Sequence, residues 1–337
     1  MLRLLIFKPL KDDTQPMIKK RALISLIILM TITACAQFEV GPKTGAANRI
    51  ARPAFMVERL IPTENFKLYV WERMHDRGAP GVIYIGADSL NWPDKDLVAD
   101  DFLLDKTTPE NPMTLHLATR DSSSNVAYLS RPCQYLNNKE AELCPEKYRN
   151  DARYSSEVID SYHTVLDEMK ARYDLSSFHL VGVDGGAQIA AFLTAERKDV
   201  VSLRTISGNL NHSFVATEHG STPLNDSLNA VNIAPRLAHV PQHHFIGGAD
   251  SIITPGVYHS FRQAMGNSSC VHYSLVQDAG HHRGWVEKWP ELMKILPECT
   301  FKESGIMPEP AKSNFEPYIP SRDYRPISKP AGKTYSK

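Results

Sequence analysis

Charge of one sign is what this sequence lacks most plainly. Its 38 Lys and Arg stand against 38 Asp and Glu, for a formal net charge of zero. Without a basic excess there is no footprint for a nucleic acid. No glycine-rich G-x-x-x-x-G-K loop is present, so the chain has no ready cradle for nucleotide phosphates. No segment repeats at a fixed period, which argues against solenoids and propellers. The longest apolar run is too short to span a bilayer comfortably. Nothing in the pattern calls for a metal or a cofactor.

What is present is ordinary globular material. Apolar residues make up 42% and charged residues 23%, enough for a real core in one large domain. The N-terminus stands apart. Lys19, Lys20 and Arg21 follow Met17, then comes "ALISLIILMTITAC". This is a secretory signal pattern, expected over residues 1–34, with the true start at Met17. Its last residues, Ile32, Thr33, Ala34 and Cys35, resemble the bacterial lipoprotein cleavage box. The resemblance implies that Cys35 is lipidated and becomes the mature N-terminus, with Ala36 after it favouring the outer membrane on the periplasmic side. Several acyl chains make such an anchor stable. Residues 35–52 read as a linker, and residues 303–337, with six prolines and no periodicity, as a disordered tail.

Cysteine usage agrees with export. Setting Cys35 aside leaves Cys133, Cys144, Cys270 and Cys299, an even number that an oxidising compartment would pair. Four cysteines allow three connectivities. The short-loop choice is Cys133–Cys144 with Cys270–Cys299, each bridge contributing roughly 3 kcal/mol through the unfolded state.

Between these ends the chain alternates strand and helix. "FKLYVWERM" (66–74) alternates apolar and polar residues, and "GVIYIG" (81–86) and "NVAYLSR" (125–131) are continuous apolar runs. "SSEVIDSYHTVLDEMKARY" places Val158, Ile159, Tyr162, Val165, Leu166 and Met169 on one helical face. Further strands read at "FHLVGV" (178–183), "VVSLRTIS" (200–207), "HHFIGG" (243–248) and "VHYSLVQ" (271–277). The expectation is an α/β domain over 53–302. It has a mostly parallel central sheet with helices on both faces and a lid-like insertion at about 209–239.

Three chemically able residues follow three of these strands. Asp184 sits at the tip of "GVDGG", between an apolar strand and an Ala-rich helix. Such a turn holds a side chain out from the sheet with backbone N–H groups close by. Asp250 follows "HHFIGG", and His281 follows "VHYSLVQD". Nucleophile, acid and histidine in this order match the chain order of α/β-hydrolases, and strand ends are where such sheets build sites.

The segments "VIYIGADSLNW" (82–92), "YLSRPCQYL" (128–136), "CPEKYRNDARYS" (144–155), "HLVGVDGGAQIAA" (179–191), "ISGNLNH" (206–212), "STPLNDSLN" (221–229), "VPQHHFIGGAD" (240–250) and "HHRGWVEKWP" (281–290) resemble those of a group of bacterial α/β-hydrolase-fold lipoproteins. The likeness runs from about residue 60 to residue 300. It implies an α/β-hydrolase fold, with His281 rather than His282 as the histidine of the site. It also implies an oxyanion hole from the backbone N–H groups of Ala87 and Gly185, and Asp88, Asn91 and Trp92 lining the substrate pocket.

The chain departs from that group where chemistry happens. The group carries serine at the elbow in a turn like "GYSGGG", and its oxyanion loop reads "EGDG". Here Asp184 stands for the serine, and the loop reads Gly86, Ala87, Asp88, Ser89. A carboxylate attacking an ester carbonyl would form an anhydride, so acyl transfer by the usual route is disfavoured. A carboxylate can instead displace a leaving group from saturated carbon and form an alkyl-enzyme ester, as in the haloalkane dehalogenases and epoxide hydrolases that share this fold. Neither class matches closely. Gly185 replaces the halide-holding Trp of the first, and residues 209–239 lack the lid tyrosines of the second. Two readings therefore stand: an Asp184 hydrolase acting on a small molecule, or a degenerate serine-hydrolase relative that binds an envelope ligand or serves structurally.

Overall fold

The computed structural model describes residues 43–88, 108–109 and 111–300. The expected signal segment, Cys35, Asn91, Trp92 and the 303–337 tail lie outside the described residues. The chain separates by its contacts into Met1–Cys299 and Thr300–Lys337, and all of the strands and helices named below lie in the first unit.

Eight strands form one sheet. They are β1 Val57–Pro62, β2 Lys67–Met74, β3 Gly81–Ile85, β4 Asn125–Leu129, β5 Phe178–Val183, β6 Val200–Ile206, β7 Gln242–Gly247 and β8 Val271–Val276. Their order is β1-β2-β4-β3-β5-β6-β7-β8. Strands β3 to β8 pair in parallel, while β2 runs antiparallel to both β1 and β4. The helices among the described residues are α1 Gly45–Ala51, α2 Met113–Thr119, α3 Asn138–Glu142, α4 Ser156–Tyr173, α5 Gly186–Glu196, α6 His212–His219, α7 Pro255–Met265 and α8 Trp289–Leu292, with a 3-10 stretch at Ala230–Leu237.

Strand side chains alternate between faces, and each face builds its own core. On one side Leu68, Val70, Ile83, Ile85, Leu180 and Leu203 pack against Val158, Val165 and Met169 of α4, Ile189 and Leu193 of α5, and Phe261 of α7. On the other, Tyr69, Trp71, Tyr84, Tyr128, Val181 and Phe245 pack against Ala47 and Ala51 of α1, Leu115 and Leu117 of α2, and Trp289 of α8. Helices thus cover both faces, as the alternation predicts. Part of the expected linker belongs to this second layer. Ala47 and Ala51, four residues apart and small, let α1 sit down on the sheet. Within the expected lid, α6 is followed by a 3-10 stretch whose Ala230, Ala234 and Leu237 are fully buried in the first core.

The cysteines stand in local pairs. Cys133 and Cys144 are 5.9 Å apart at Cα and Cys270 and Cys299 are 3.8 Å apart, both as disulfides. Among the described residues no helix is long and apolar enough to cross a membrane.

Candidate active site

The elbow is built by crowding. Strand β5 ends at Val183, and α5 begins at Gly186. The reversal between them puts Asp184 at φ 49°, in the left-handed region that costs a residue with a Cβ about a kcal/mol or more. The surroundings hold it there. The Asp184 N–H donates to the Ile206 carbonyl (3.1 Å), and its own carbonyl accepts from the N–H groups of Ala187 and Asn209 (3.0 Å each). Close approach explains the glycines. A Cβ on Gly182 would come within 2.5 Å of Ala187 Cα, and one on Gly185 would collide with the Asp88 carboxylate and the Tyr154 hydroxyl.

Asp184, Asp250 and His281 meet at the C-terminal ends of β5, β7 and β8, all three buried. His281 Nδ1 lies 3.1 Å from Asp250 Oδ2. Asp250 Oδ1 accepts the N–H groups of Ile252 and Ile253, at 2.9 Å each. With Nδ1–H donating to Asp250, the imidazole turns Nε2 toward Asp184, 3.7 Å from Oδ1. That Nε2 is buried and has no hydrogen-bond partner among the described residues. Behind it Trp285, fully buried, fixes the histidine loop by donating Nε1–H to the Gly280 carbonyl (2.7 Å). His282 is exposed, and its ring packs edge-on against His281 without touching either carboxylate.

The two oxygens of Asp184 have different surroundings. Oδ1 faces the imidazole. Oδ2 accepts the backbone N–H of Asp88 at 3.2 Å. Burial raises the Asp184 pKa to about 6; His281 and the Gly185 amide work against that rise, while Asp88 adds to it. The His281 pKa is also raised. Burial pulls it down, but the negative charge of Asp184 and the hydrogen bond to Asp250 outweigh that.

The loop after β3 differs from its sequence-based expectation by one residue. The Ala87 N–H is directed at Thr114 Oγ1 (3.3 Å), and the amide that faces Asp184 is that of Asp88. The Asp88 side chain is likewise taken. Its Oδ1 pairs with Arg131 Nη1 at 2.7 Å, and its Oδ2 accepts the Tyr154 hydroxyl and lies 3.7 Å from Arg153 Nη1. A carboxylate so held anchors the loop rather than touching substrate. Arg131 is itself buried, stacks over the Tyr154 ring (5.1 Å to its centroid) and donates to the Arg153 carbonyl at 2.7 Å. Burial opposes its charge, yet Asp88 more than compensates and raises its pKa. Gln134 completes the frame by accepting the Arg131 N–H (3.0 Å).

Arg131, Gln134, Arg153 and Tyr154 are site residues that sequence reasoning missed. Their signal was the company they keep: they fall inside the segments "RPCQY" and "CPEKYRNDARYS", which the Cys133–Cys144 bridge joins. Among the described residues no cluster of three or more His, Cys, Asp or Glu has the spacing of a metal site.

No family model and no curated protein sequence matches the chain. Solved structures do. An esterase of Pyrococcus furiosus superposes with a TM-score of 0.50 at 15% identity, over 73% of this chain and 95% of that one. A membrane phospholipase A, described as a bacterial virulence factor, does so with a TM-score of 0.50 at 17% identity, over 82% and 96%. A puromycin hydrolase gives a TM-score of 0.52 at 12% identity, over 71% of this chain and 38% of its own. Identities this low speak for the fold alone, and the fold is the α/β-hydrolase fold.

Proposed function

We propose that this protein is a hydrolase of the cell envelope, anchored through a lipidated Cys35, in which Asp184 is the nucleophile and the substrate is a small molecule with a saturated, electrophilic carbon. The observation that carries the proposal is the separation of the two Asp184 oxygens. One is free to attack beside His281, and the other already rests on a backbone amide.

The reaction runs in two halves. Asp184 Oδ1 attacks the electrophilic carbon; a C–O bond forms, and the leaving group departs with its electron pair. The product is an ester on Asp184. A water molecule then attacks that ester's carbonyl carbon while His281 Nε2 takes its proton, with Asp250 holding the imidazolium. The charge that develops on Oδ2 falls where the Asp88 N–H donates, with Gly185 as the second donor. Collapse expels the alcohol, which takes the proton from His281 and leaves Asp184 as the carboxylic acid. That acid then releases its proton to solvent by way of His281, and the carboxylate returns. Net, one water is consumed and a C–X bond becomes C–OH. No cofactor is needed.

The first half requires ionised Asp184, so a pKa near 6 leaves the nucleophile active at neutral pH and weakens it in acid. The test is a parallel screen of halide release, epoxide opening and ester cleavage with the wild type and Asp184→Asn. Turnover of an alkyl substrate by the wild type alone is the expected result.

The second reading, a serine site that has lost its hydroxyl, is favoured by one observation: the elbow, the acid loop and the histidine keep serine-type geometry around the changed residue. Asp184→Ser separates the two. Under the second reading it gains cleavage of short acyl esters and fluorophosphonate labelling at position 184. Under the first it only loses the native reaction.

A further inference from the structure

One face of the sheet holds a cavity, and the site around Asp184 makes no use of it. Its volume is about 520 Å³, within the range of small-molecule pockets. It lies on the α1–α2–α8 face, along β3, β5 and β6, where Tyr84, Val181 and Arg204 line it, whereas Asp184, Asp250 and His281 follow the C-terminal ends of their strands. Its apolar walls are Val82, Val181, Trp289, Met293 and Leu296.

Arg204 projects from the middle of β6 into this wall, in register with Val181 on one side and His243 on the other. It is 8% exposed. Its Nη2 donates to the backbone carbonyls of Met293 (3.4 Å) and Ile295 (3.2 Å), both long. Its Nε is buried with no acceptor among the described residues. No carboxylate among them pairs with it at ion-pair distance. The acidic group on the wall, Asp121, has both oxygens occupied, Oδ2 by the Tyr84 hydroxyl (2.7 Å) and Oδ1 by the Ser123 N–H (2.8 Å).

A guanidinium in this position is out of place in a sheet core. Burying a cation without an anion is costly, and burial accordingly lowers the Arg204 pKa. Its neighbour His179 bonds Ser202 Oγ through Nδ1 (2.7 Å), and burial holds its pKa down too. The pocket's other cation, Lys294, is exposed and paired with Glu291 at 2.8 Å, which leaves Arg204 as the cation on the wall without a carboxylate at ion-pair distance among the described residues. Asp121 on the same wall would repel a dianion.

We propose that this pocket binds a small organic monocarboxylate, its carboxylate on Arg204 and its apolar body between Val181, Trp289 and Met293. One unpaired cation beside one satisfied aspartate suits a single negative charge better than a phosphate. The planar fork of arginine matches a carboxylate in two-point contact.

Photoaffinity labelling of the full chain tests this, using trifluoromethyl-diazirinyl benzoic acid and, as its uncharged control, the corresponding benzyl alcohol. The expected result is acid labelling on peptides covering 178–183 and 289–297, suppressed by excess benzoate and absent with the alcohol. Arg204→Met should weaken it by at least about 10-fold, the loss of one charge-assisted contact. Met293→Trp, which fills the cavity and leaves the cation in place, should also block it, and reads the site if Arg204→Met fails to fold. Asp184→Asn should label like the wild type, which separates this pocket from the elbow. Equal labelling by acid and alcohol, or labelling unchanged in both Arg204→Met and Met293→Trp, would overturn the proposal, as would labelling confined to peptides around Asp184.

Discussion

Asp184 and Asp250 are both buried aspartates, and both face the same imidazole, but they are held in opposite ways. Asp250 receives two backbone N–H groups on one oxygen and the His281 Nδ1–H on the other. Asp184 receives the Asp88 amide at 3.2 Å on Oδ2 together with the Gly185 amide, and its Oδ1 stops 3.7 Å short of Nε2. Both sit in equally dry places, so the difference lies in the donors. Donors aimed at a carboxylate stabilise its charge, and their scarcity lets burial dominate. Asp250 is thus held in place on both oxygens and orients the histidine. Asp184 is left with unused capacity, and a nucleophile requires that.

The largest test of this contrast is chemical. Asp184→Asn keeps the shape and removes the attacking charge. Alkyl-substrate turnover, followed by product release, should fall by at least about 10³-fold. Asp250→Ala breaks the other side. It strands the N–H groups of Ile252 and Ile253 and removes the partner of His281 Nδ1, so denaturant unfolding should show a loss of about 2–4 kcal/mol. Asp184→Asn should show no such loss.

Acidity sharpens the comparison further. A carboxyl whose folded pKa is near 6 binds its proton more tightly folded than unfolded, so ionising it costs stability. That cost is absent below pH ~4, grows between pH ~4 and ~6, and is complete above. Asp184→Asn removes it and should be more stable than the wild type at pH 8, by on the order of 1–3 kcal/mol. His281 acts in the same direction. Asp184 and Asp250 both raise its pKa, so the wild type gains more than the variant, which keeps only Asp250, from protonating it in acid. The advantage of the variant should therefore shrink as pH falls to about 4, measured by unfolding at each pH. The smallest effect expected is at the oxyanion loop. Thr114→Val leaves the Ala87 N–H without its acceptor and should cost about 1 kcal/mol in stability. Turnover should change by less than about 3-fold, because the amide that faces Asp184 belongs to Asp88.

The contrast between the two aspartates was only half legible in the sequence. The elbow could be read because strand, turn and helix are contiguous there, and glycines mark the close approaches. Asp250 and His281 could be placed because each follows an apolar strand. Strand β1 could not be read. Only Ile61 of its six residues is buried, so it carries no alternation, and it is held by pairing with β2. The 3-10 stretch at Ala230–Leu237 has its buried residues spaced four and three apart, but Asn232, Pro235 and Arg236 interrupt the pattern and its position suggested a lid. What no local pattern carries is the direction of an amide. Whether Ala87 or Asp88 presents its N–H to position 184 is set by Arg131, Gln134 and Tyr154, which arrive from elsewhere in the chain.

The most direct test of Asp184 as nucleophile is the intact mass of His281→Gln after incubation with a panel of primary alkyl halides. Displacement needs only the carboxylate, whereas hydrolysis of the resulting ester needs the base. The expected result is a stable added mass equal to the alkyl group, mapped to the peptide bearing Asp184. That mass should be absent from the wild type at completion and from the double variant with Asp184→Asn. An unmodified His281→Gln protein, together with a wild type that turns over the same halides, would contradict it.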